Sequence, residues 1–516
     1  MSTSGKHDDL DADRRASSRG ALASVPKYSY YALAILSLVN FLNYIDRQVL
    51  PAVATNMLDD PSLHLTDADI GYMEAALLLS FTILAPIFGR LGDRYPRAKL
   101  MAGAAVAWSI ATAVTGYADR ISPLPRVLGF RVPVVGAMFT ISGVALSLCM
   151  VRACVGIGES AYSTITPSLI ADYFPPHRRA TALGIFQSAI PMGFALGFVI
   201  GGVLAHFFGW RTAFSLVGVP GLITAVFVWR LREPVRGATD IHDATTNATD
   251  AHEATIEATH ASALKEIIES AAETSRALKE SAAGESMPRT IWRILRSRDW
   301  FIATAGYTAL TAALGAFATW AVVALVRDKG MTQTSANVTL GIVTLLAGAT
   351  GTFGGGWIAD RVAARRRNGY FLVCAVSTLF GILPTLVVLI SNDARVFVPA
   401  VFVAVTMLFV SNAPFHAILL ESVPTAVRAM AVALNIVVIH ACGDAISRAL
   451  VGVLSDELRA GRLNAFSSFA AHIGIDSARQ HLSTALLIAP FALCISTTLF
   501  FFGARSHRRA NLDSVE

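Results

Sequence analysis

Charge is scarce in this chain: only 15% of its 516 residues are Asp, Glu, Lys or Arg, against 54% that are hydrophobic. No soluble domain needs that much apolar surface along its whole length, so a soluble globular protein is excluded. The sequence lacks a glycine loop ending in Lys-Ser or Lys-Thr, a nucleophile elbow and any metal-ligand spacing. Work powered by ATP and the common hydrolytic chemistries are excluded with them. The five cysteines (Cys149, Cys154, Cys374, Cys442, Cys494) all fall inside apolar runs, where thiols behave as small hydrophobes, and no disulfide pattern is visible. The polar N-terminus lacks a cleavable leader pattern, so the first apolar run is expected to act as the targeting signal.

What is present is a series of runs long enough to cross about 30 Å of hydrocarbon. Twelve are read, near 29–52, 70–91, 98–118, 143–170, 180–206, 211–231, 300–326, 335–359, 369–391, 395–420, 429–455 and 481–504. The net charge of +6 is no nucleic-acid signal, because the basic residues sit in alternate loops. They are Arg14, Arg15, Arg19 and Lys27, then Arg90 to Lys99, Arg178 and Arg179, Arg361 to Arg367, and Arg505 to Arg509. Asp59, Asp60, Asp67 and Asp69 make the loop after the first run acidic. The positive-inside rule then places both termini in the cytoplasm, as an even number of spans requires. The expectation is a multi-pass protein of the inner or plasma membrane, monomeric, with membrane lipids around it and no nucleic-acid partner.

The chain divides into a cytoplasmic tail at 1–27, six spans over 28–231, a polar linker at 232–299, six spans over 300–504 and a tail at 505–516. The first part of the linker is low-complexity and reads as disordered. A surface helix is expected near 262–273, and a headgroup-plane helix where Arg289, Trp292, Arg293 and Arg296 mix with apolar residues. A partner site in the linker and a plain tether are both open. Two repeats relate the halves. Gly89-Arg-Leu-Gly-Asp93-Arg94-Tyr-Pro-Arg97 returns in degenerate form as Gly356-Trp-Ile-Ala-Asp360-Arg361, and Asp172-Tyr-Phe-Pro175 with Arg178 returns as Glu421-Ser-Val-Pro424 with Arg428. A charged turn repeated at matching places marks a duplicated bundle.

The loop Gly89–Lys99 resembles the signature loop of the major facilitator superfamily. The resemblance implies an all-α membrane protein: twelve transmembrane helices in two pseudo-symmetric six-helix bundles, working by alternating access. More narrowly, three segments resemble the Spinster family of lysolipid and sphingolipid transporters. They are Asn43-Tyr44-Ile-Asp46-Arg47, Arg152 through Gly156, Gly158 and Glu159 to Tyr162, and Ile439-His440-Ala-Cys-Gly443-Asp444. Two departures stand out. Ser447 is followed by Arg448 where the family has Ser-Pro, and the stretch Asp119 to Ser142 is longer than usual. Both are expected towards the outer side. The family resemblance implies an amphipathic lipid cargo with an anionic or zwitterionic headgroup. A proton symporter for a small organic anion, such as a sugar acid, is the alternative.

Intramembrane charges cost several kcal/mol each and face a cavity or a partner, so they are the candidate site residues. Asp46 and Arg47 point about 100° apart, so one addresses the cavity and the other a neighbouring helix. A proton-coupling role for Asp46 and a purely local ion pair are both open. Arg152 and Glu159 lie on one helix face, about 10 Å apart along it. Either they pair structurally, or Arg152 holds a headgroup while Glu159 and Asp46 exchange protons. His440, Asp444 and Arg448 form a polar stripe of period four. His440 reads as a proton site or as a hydrogen-bonded structural group, and Asp444 as a proton-coupling group. Arg47, Asn43, Tyr162 and Trp320 complete the expected substrate contacts, with Tyr307, Phe317 and Thr319 as cavity or core residues. Asp93, Arg94, Arg97, Asp172, Asp360, Arg361 and Glu421 are expected to be cytoplasmic gate residues, latching the halves when the cavity faces outward. Gly184, Gly193, Gly197, Gly201 and Gly202 are read as helix-packing positions, with Pro191 a candidate hinge. With no cofactor or metal expected, the energy source is a proton gradient.

Overall fold

The structure, a computed structural model, describes residues 25–121, 127–130, 139–234, 287–424 and 427–512. The surface helix expected near 262–273, most of the linker and most of both tails lie outside the described residues. Among the described residues, ten helices are long and apolar enough to cross a membrane. Two further spans complete the count. The first helix, α1 (Lys27–Leu58), is not among the ten; it is 32 residues long and carries Asn40, Asn43, Asp46, Arg47 and Gln48 in its middle. The helix Pro176–Trp229 has 54 residues, about 81 Å at 1.5 Å per residue, far more than one crossing needs. It breaks at Gly209, whose φ of 78° and ψ of 157° lie in a region open to glycine. The break divides it into α5 (176–208) and α6 (210–229).

The remaining spans are α2 (Asp67–Arg94), α3 (Arg97–Thr115), α4 (Gly143–Tyr173), α7 (Arg298–Arg327), α8 (Gln333–Arg365), α9 (Gly369–Ile390), α10 (Ala394–Glu421), α11 (Met430–Arg459) and α12 (Ile488–Leu512). Polar residues start several of them. Thr66 and Asp69 form a reciprocal capping box at α2, and Ser142, Ser297, Thr332 and Asp393 cap α4, α7, α8 and α10. The expected headgroup-plane helix is present at Met287–Arg296: Ile294 is buried against the second bundle while Trp292 stays exposed. One small element departs from an all-α fold. In the long stretch before α4, strands β1 (Val127–Phe130) and β2 (Phe139–Ser142) pair antiparallel, with Val127 opposite Ser142.

Helices α1–α6 pack as one bundle and α7–α12 as another. The bundles meet along two main seams, α2 against α11 and α5 against α8. Glycines let backbones touch there. A Cβ on Gly71 would come within 2.6 Å of the Arg448 carbonyl oxygen, one on Gly452 within 2.4 Å of that of Asp67, and one on Gly341 within 2.7 Å of that of Ala195. Gly193, Gly197 and Gly201 pack against α1, Gly202 meets Asn337 of α8, and Gly184 has open space around it.

Both seams are tight at the end that carries the α1–α2 loop. Asp67, fully buried, accepts hydrogen bonds from Arg327 (2.9 Å), Ser455 (2.7 Å) and Arg459 (2.8 Å). The Asp456 carboxylate returns the link by accepting from the backbone N–H groups of Asp67 and Ala68 at 3.3 and 2.8 Å. Gln333 and Asn337 of α8 donate to the Ala52 carbonyl of α1, and Gln333 also to Asn56. These cross-bundle hydrogen bonds lie at this closed end, as does one from Arg327 to Asp59, and one from Arg448 to Glu74 lies at the centre. The opposite end, with the Gly89–Lys99 turn, is the open one.

Candidate functional site: a buried charge network beside an apolar cavity

At the centre, the expected charged residues are brought together, though not in the expected pairs. Arg47 projects from α1 and donates its Nε–H to Glu159 of α4 at 2.7 Å. Its guanidinium also lies 5.1 Å from the Tyr44 ring centre and 4.8 Å from that of Phe81. Asp46, one position earlier, turns the other way and accepts from Thr112 of α3. The two neighbours thus divide as helix geometry requires: Arg47 towards the interior of the molecule, Asp46 into the first bundle.

Arg152 and Glu159 do not pair with each other. Arg152, fully buried, donates to Oε1 of Glu74 on α2 at 3.1 Å. The other oxygen of that carboxylate accepts from Arg448 of α11 at 2.6 Å, so Glu74 bridges the two bundles. Glu74 escaped the sequence reading. The available signal was a single acid inside the apolar run 70–91, close after a cluster of aspartates with which it is easily grouped. Arg448 is a correction as well: expected towards the outer side, it stands in the central network. It also donates to Thr319 at 3.1 Å and to Asp444 at 3.4 Å.

The polar stripe on α11 is built on an irregular helix. Residues Ile439–Ala445 form a π-helical turn, a distortion that widens the helix and often occurs where function resides. His440 Nδ1 lies 3.3 Å from Asp444, and its ring meets Phe81 of the other bundle edge-on at 6.1 Å. Gly443 leaves room for α7, since a Cβ there would sit 2.4 Å from the Thr311 hydroxyl.

Tyr162 and Trp320 are placed behind this network and not on an open wall. The Tyr162 hydroxyl donates to the Leu36 carbonyl at 2.5 Å and its ring packs edge-on against Trp108 at 5.5 Å. The Trp320 indole, fully buried, donates to the Arg448 carbonyl at 2.9 Å and so braces the α11 backbone beside the Arg448 side chain. Asn43 is buried on α1, one turn before Arg47. Gly156 and Gly158 admit helices: the nearest atoms to an added Cβ include the Leu77 carbonyl of α2 at 2.2 Å and the Ala104 carbonyl of α3 at 2.7 Å.

A cavity of about 250 Å³ adjoins the network. Phe198, Phe317, Leu340, Val388, Val405 and Leu408 are among its walls, and Thr311, Asp444 and Arg448 give it a polar edge. Of Tyr307, Phe317, Thr319 and Trp320 on α7, Phe317 lines it. Tyr307 instead stacks on Phe415 at 3.7 Å and donates to Asn412. A largely apolar chamber with a charged edge suits a molecule with a hydrocarbon part and a polar head.

The expected gate residues lie at the open end, and the following pairs among them stay within one bundle. Arg97 donates to Asp172 and Glu233 at 2.7 Å each, and Tyr370 donates to Asp360 at 3.4 Å. Arg361 rests its guanidinium over Trp357, 3.4 Å from the ring centre, and Arg94 and Glu421 are exposed. The Asp93 side chain lies outside the described residues.

Comparison with known proteins agrees with this architecture. Residues 36–447 match the profile described as Major Facilitator Superfamily. Protein spinster of Drosophila melanogaster is 26% identical over 505 residues, covering 96% of this chain and 73% of the fly protein. Protein spinster homolog 1 of Homo sapiens is 28% identical over 455 residues, covering 84% of this chain and 74% of the human protein. Among solved structures, a bacterial homolog of the human lysosomal transporter Spinster, inward-facing and unoccupied, superposes with a TM-score of 0.70 at 19% identity, covering 94% of this chain and 99% of that one. A D-xylose-proton symporter superposes at 0.59 with 16% identity, covering 90% of this chain and 97% of its own. At these identities the two structural likenesses speak to fold alone.

Proposed function

Because the chain belongs to the Major Facilitator Superfamily, a family of transporters and not of enzymes, we propose that it is a proton-coupled carrier of an amphipathic lipid. The cargo class is a lysophospholipid or a sphingoid phosphate. The observation that carries this reading is the junction of a buried charge network with an apolar cavity at Arg448 and Asp444. A small hydrophilic anion needs polar groups on all sides, since an unmet polar group costs about 1–3 kcal/mol. Phenylalanine, leucine and valine walls suit a hydrocarbon chain instead. The Spinster-like relatives make the same direction of inference reasonable.

In this reading Arg47, Arg152 and Asn43 face the headgroup during the cycle, with Tyr162 and Trp320 supporting it from behind. Asp46, Glu159, Asp444 and His440 carry the protons. Glu159 and Arg47 form a pair that a proton on Glu159 weakens, freeing Arg47 for an anion. The basic residues Arg90, Arg94, Lys99 and Arg365 to Arg367 are exposed at the open end. The positive-inside rule puts that end and both termini in the cytoplasm. The conformation is then inward-facing, and Arg97, Asp172, Asp360, Arg361 and Glu421 become a latch only when that end closes.

Proteoliposomes test this directly. Labelled lysophospholipid should move with an imposed pH gradient through the wild type, and gradient-driven movement should be lost in Asp46→Asn and Glu159→Gln. Robust flux of a sugar acid, with no lipid movement by the wild type, would replace this reading with an organic-anion symporter.

A further inference from the structure

The Arg152–Glu74–Arg448 bridge is short of hydrogen-bond acceptors. One carboxylate joins two guanidinium groups, Oε1 taking Arg152 and Oε2 taking Arg448, and Asp444 accepts from Arg448 at 3.4 Å as well. Arg152 is fully buried and Arg448 nearly so. Three of their N–H-bearing atoms, Nε and Nη1 of Arg152 and Nε of Arg448, are buried with no hydrogen-bond acceptor among the described residues. Sheltered guanidinium N–H groups without an acceptor carry a desolvation penalty that the neighbouring carboxylates offset only in part. The arrangement also joins the bundles: Arg152 belongs to the first, Arg448 to the second, and Arg448 sits on the cavity edge. Arg448 moreover stands where the Spinster-like pattern has proline.

We propose that Glu74 is a resident anion occupying a phosphomonoester site, with Arg152 and Arg448 as its two-sided clamp. A phosphomonoester offers three oxygens and up to two charges where Glu74 offers two oxygens and one. It therefore meets donors that the carboxylate leaves unmet, and a chain attached to it runs into the apolar cavity beside Arg448. Glu74 competes with the cargo headgroup and must withdraw to admit it. The route of the attached chain rests on the lipid reading above, whereas the clamp itself acts on the headgroup.

The test is binding to the full-length protein in nanodiscs, for wild type, Glu74→Gln, Glu74→Asp and Arg448→Gln. Three probes are used: a single-chain lipid phosphomonoester, the same chain with a phosphocholine head, and glycerol phosphate. Glu74→Gln should bind the phosphomonoester lipid roughly tenfold tighter than wild type, with little change for phosphocholine. Glu74→Asp keeps the counter-charge, and with it the fold, but shortens its reach, and should gain by a smaller factor. Arg448→Gln should lose the preference between the two heads. Unchanged or weaker phosphomonoester binding in both Glu74 variants overturns the clamp. The same pattern with glycerol phosphate but no lipid binding upholds the clamp and removes the lipid reading. Lipid binding indifferent to both Glu74 and Arg448 does the reverse. If neither phosphomonoester binds any variant, the clamp is overturned.

Discussion

Helix α2 begins at Asp67, wholly buried between the bundles, and ends at Arg94, which is exposed at the far side of the molecule. At the first end the acid draws Arg327 of α7 and Arg459 of α11 across the seam. At the second, the neighbouring Arg97 spends its hydrogen bonds on Asp172 and Glu233 of its own bundle. Both ends are rich in charge, yet the Asp67 pairs cross between the bundles and the Arg97 pairs do not. What separates them is desolvation and partner: a charge locks the bundles only where a counter-charge of the other bundle meets it away from water. Glycine seams reinforce the same asymmetry, because backbones touch across α2–α11 and α5–α8 towards the closed end.

The strongest way to break the contrast is to remove the acid at the centre of the latch. Asp67→Asn leaves Arg327 and Arg459 without their shared counter-charge. Breaking a fully buried pair costs about 3–5 kcal/mol. The side chains of Arg327 and Arg459 are 26% and 48% exposed, so solvent screening reduces the loss. We expect about 2 kcal/mol, a roughly thirtyfold shift towards opening. A cysteine at Thr55, buried on α1 at the closed end, reports it through its rate of labelling by a polar thiol reagent in an otherwise cysteine-free protein. An unchanged rate would assign the closure to the glycine seams alone.

A second intervention wedges those seams. Gly341→Leu places a side chain against the Ala195 carbonyl of α5, and labelling at Thr55→Cys should rise about tenfold as the bundles separate. Gly354→Leu, on the same helix with nothing within 4 Å of an added Cβ, is the control and should leave the rate as it was. Equal effects from both would mean that helix propensity, not contact, is being measured.

The smallest effect is expected from a charge cluster that lies at the closed end but belongs to one bundle. Asp60 accepts from Arg211 at 2.5 Å, from Trp210 at 3.1 Å and from Ser62. Burial works against its carboxylate, but the hydrogen bonds from Ser62, Arg211 and Trp210 outweigh it and hold the pKa below the ordinary value. A depressed pKa contributes stability that is full above the unfolded value, about 4, and is lost as pH falls through the folded one. Thermal melts of the wild type should therefore lose this contribution only in acid, and Asp60→Asn should lack that step. The same variant should leave Thr55→Cys labelling unchanged, since no bond between bundles is touched. A labelling change would show that the intrabundle ties also hold the latch.

Much of the fold was legible because its causes are local. Apolar runs of sufficient length read as spans wherever they fall, and the broken helix at Gly209 matches two adjacent runs in the sequence. The intramembrane charges were legible for a related reason: Asp46, Arg47, Arg152, Glu159, His440 and Asp444 stand out against hydrocarbon-length runs. Glu74 did not stand out, because it follows the acidic loop closely and its importance lies in partners 78 and 374 positions away. The π-helical turn at Ile439–Ala445 was equally invisible, since a period-four stripe looks the same on a regular helix.

The sequence by itself determined the number of spans, the duplication and the presence of costly charges within the hydrocarbon, all of which follow from hydropathy and residue spacing. Only the tertiary structure decided which charges meet: Arg47 with Glu159, and Arg152 with Arg448 through Glu74. It also decided which end is shut. Both depend on how two similarly built bundles lean against each other, a balance of desolvation and contact between distant residues that no local pattern records.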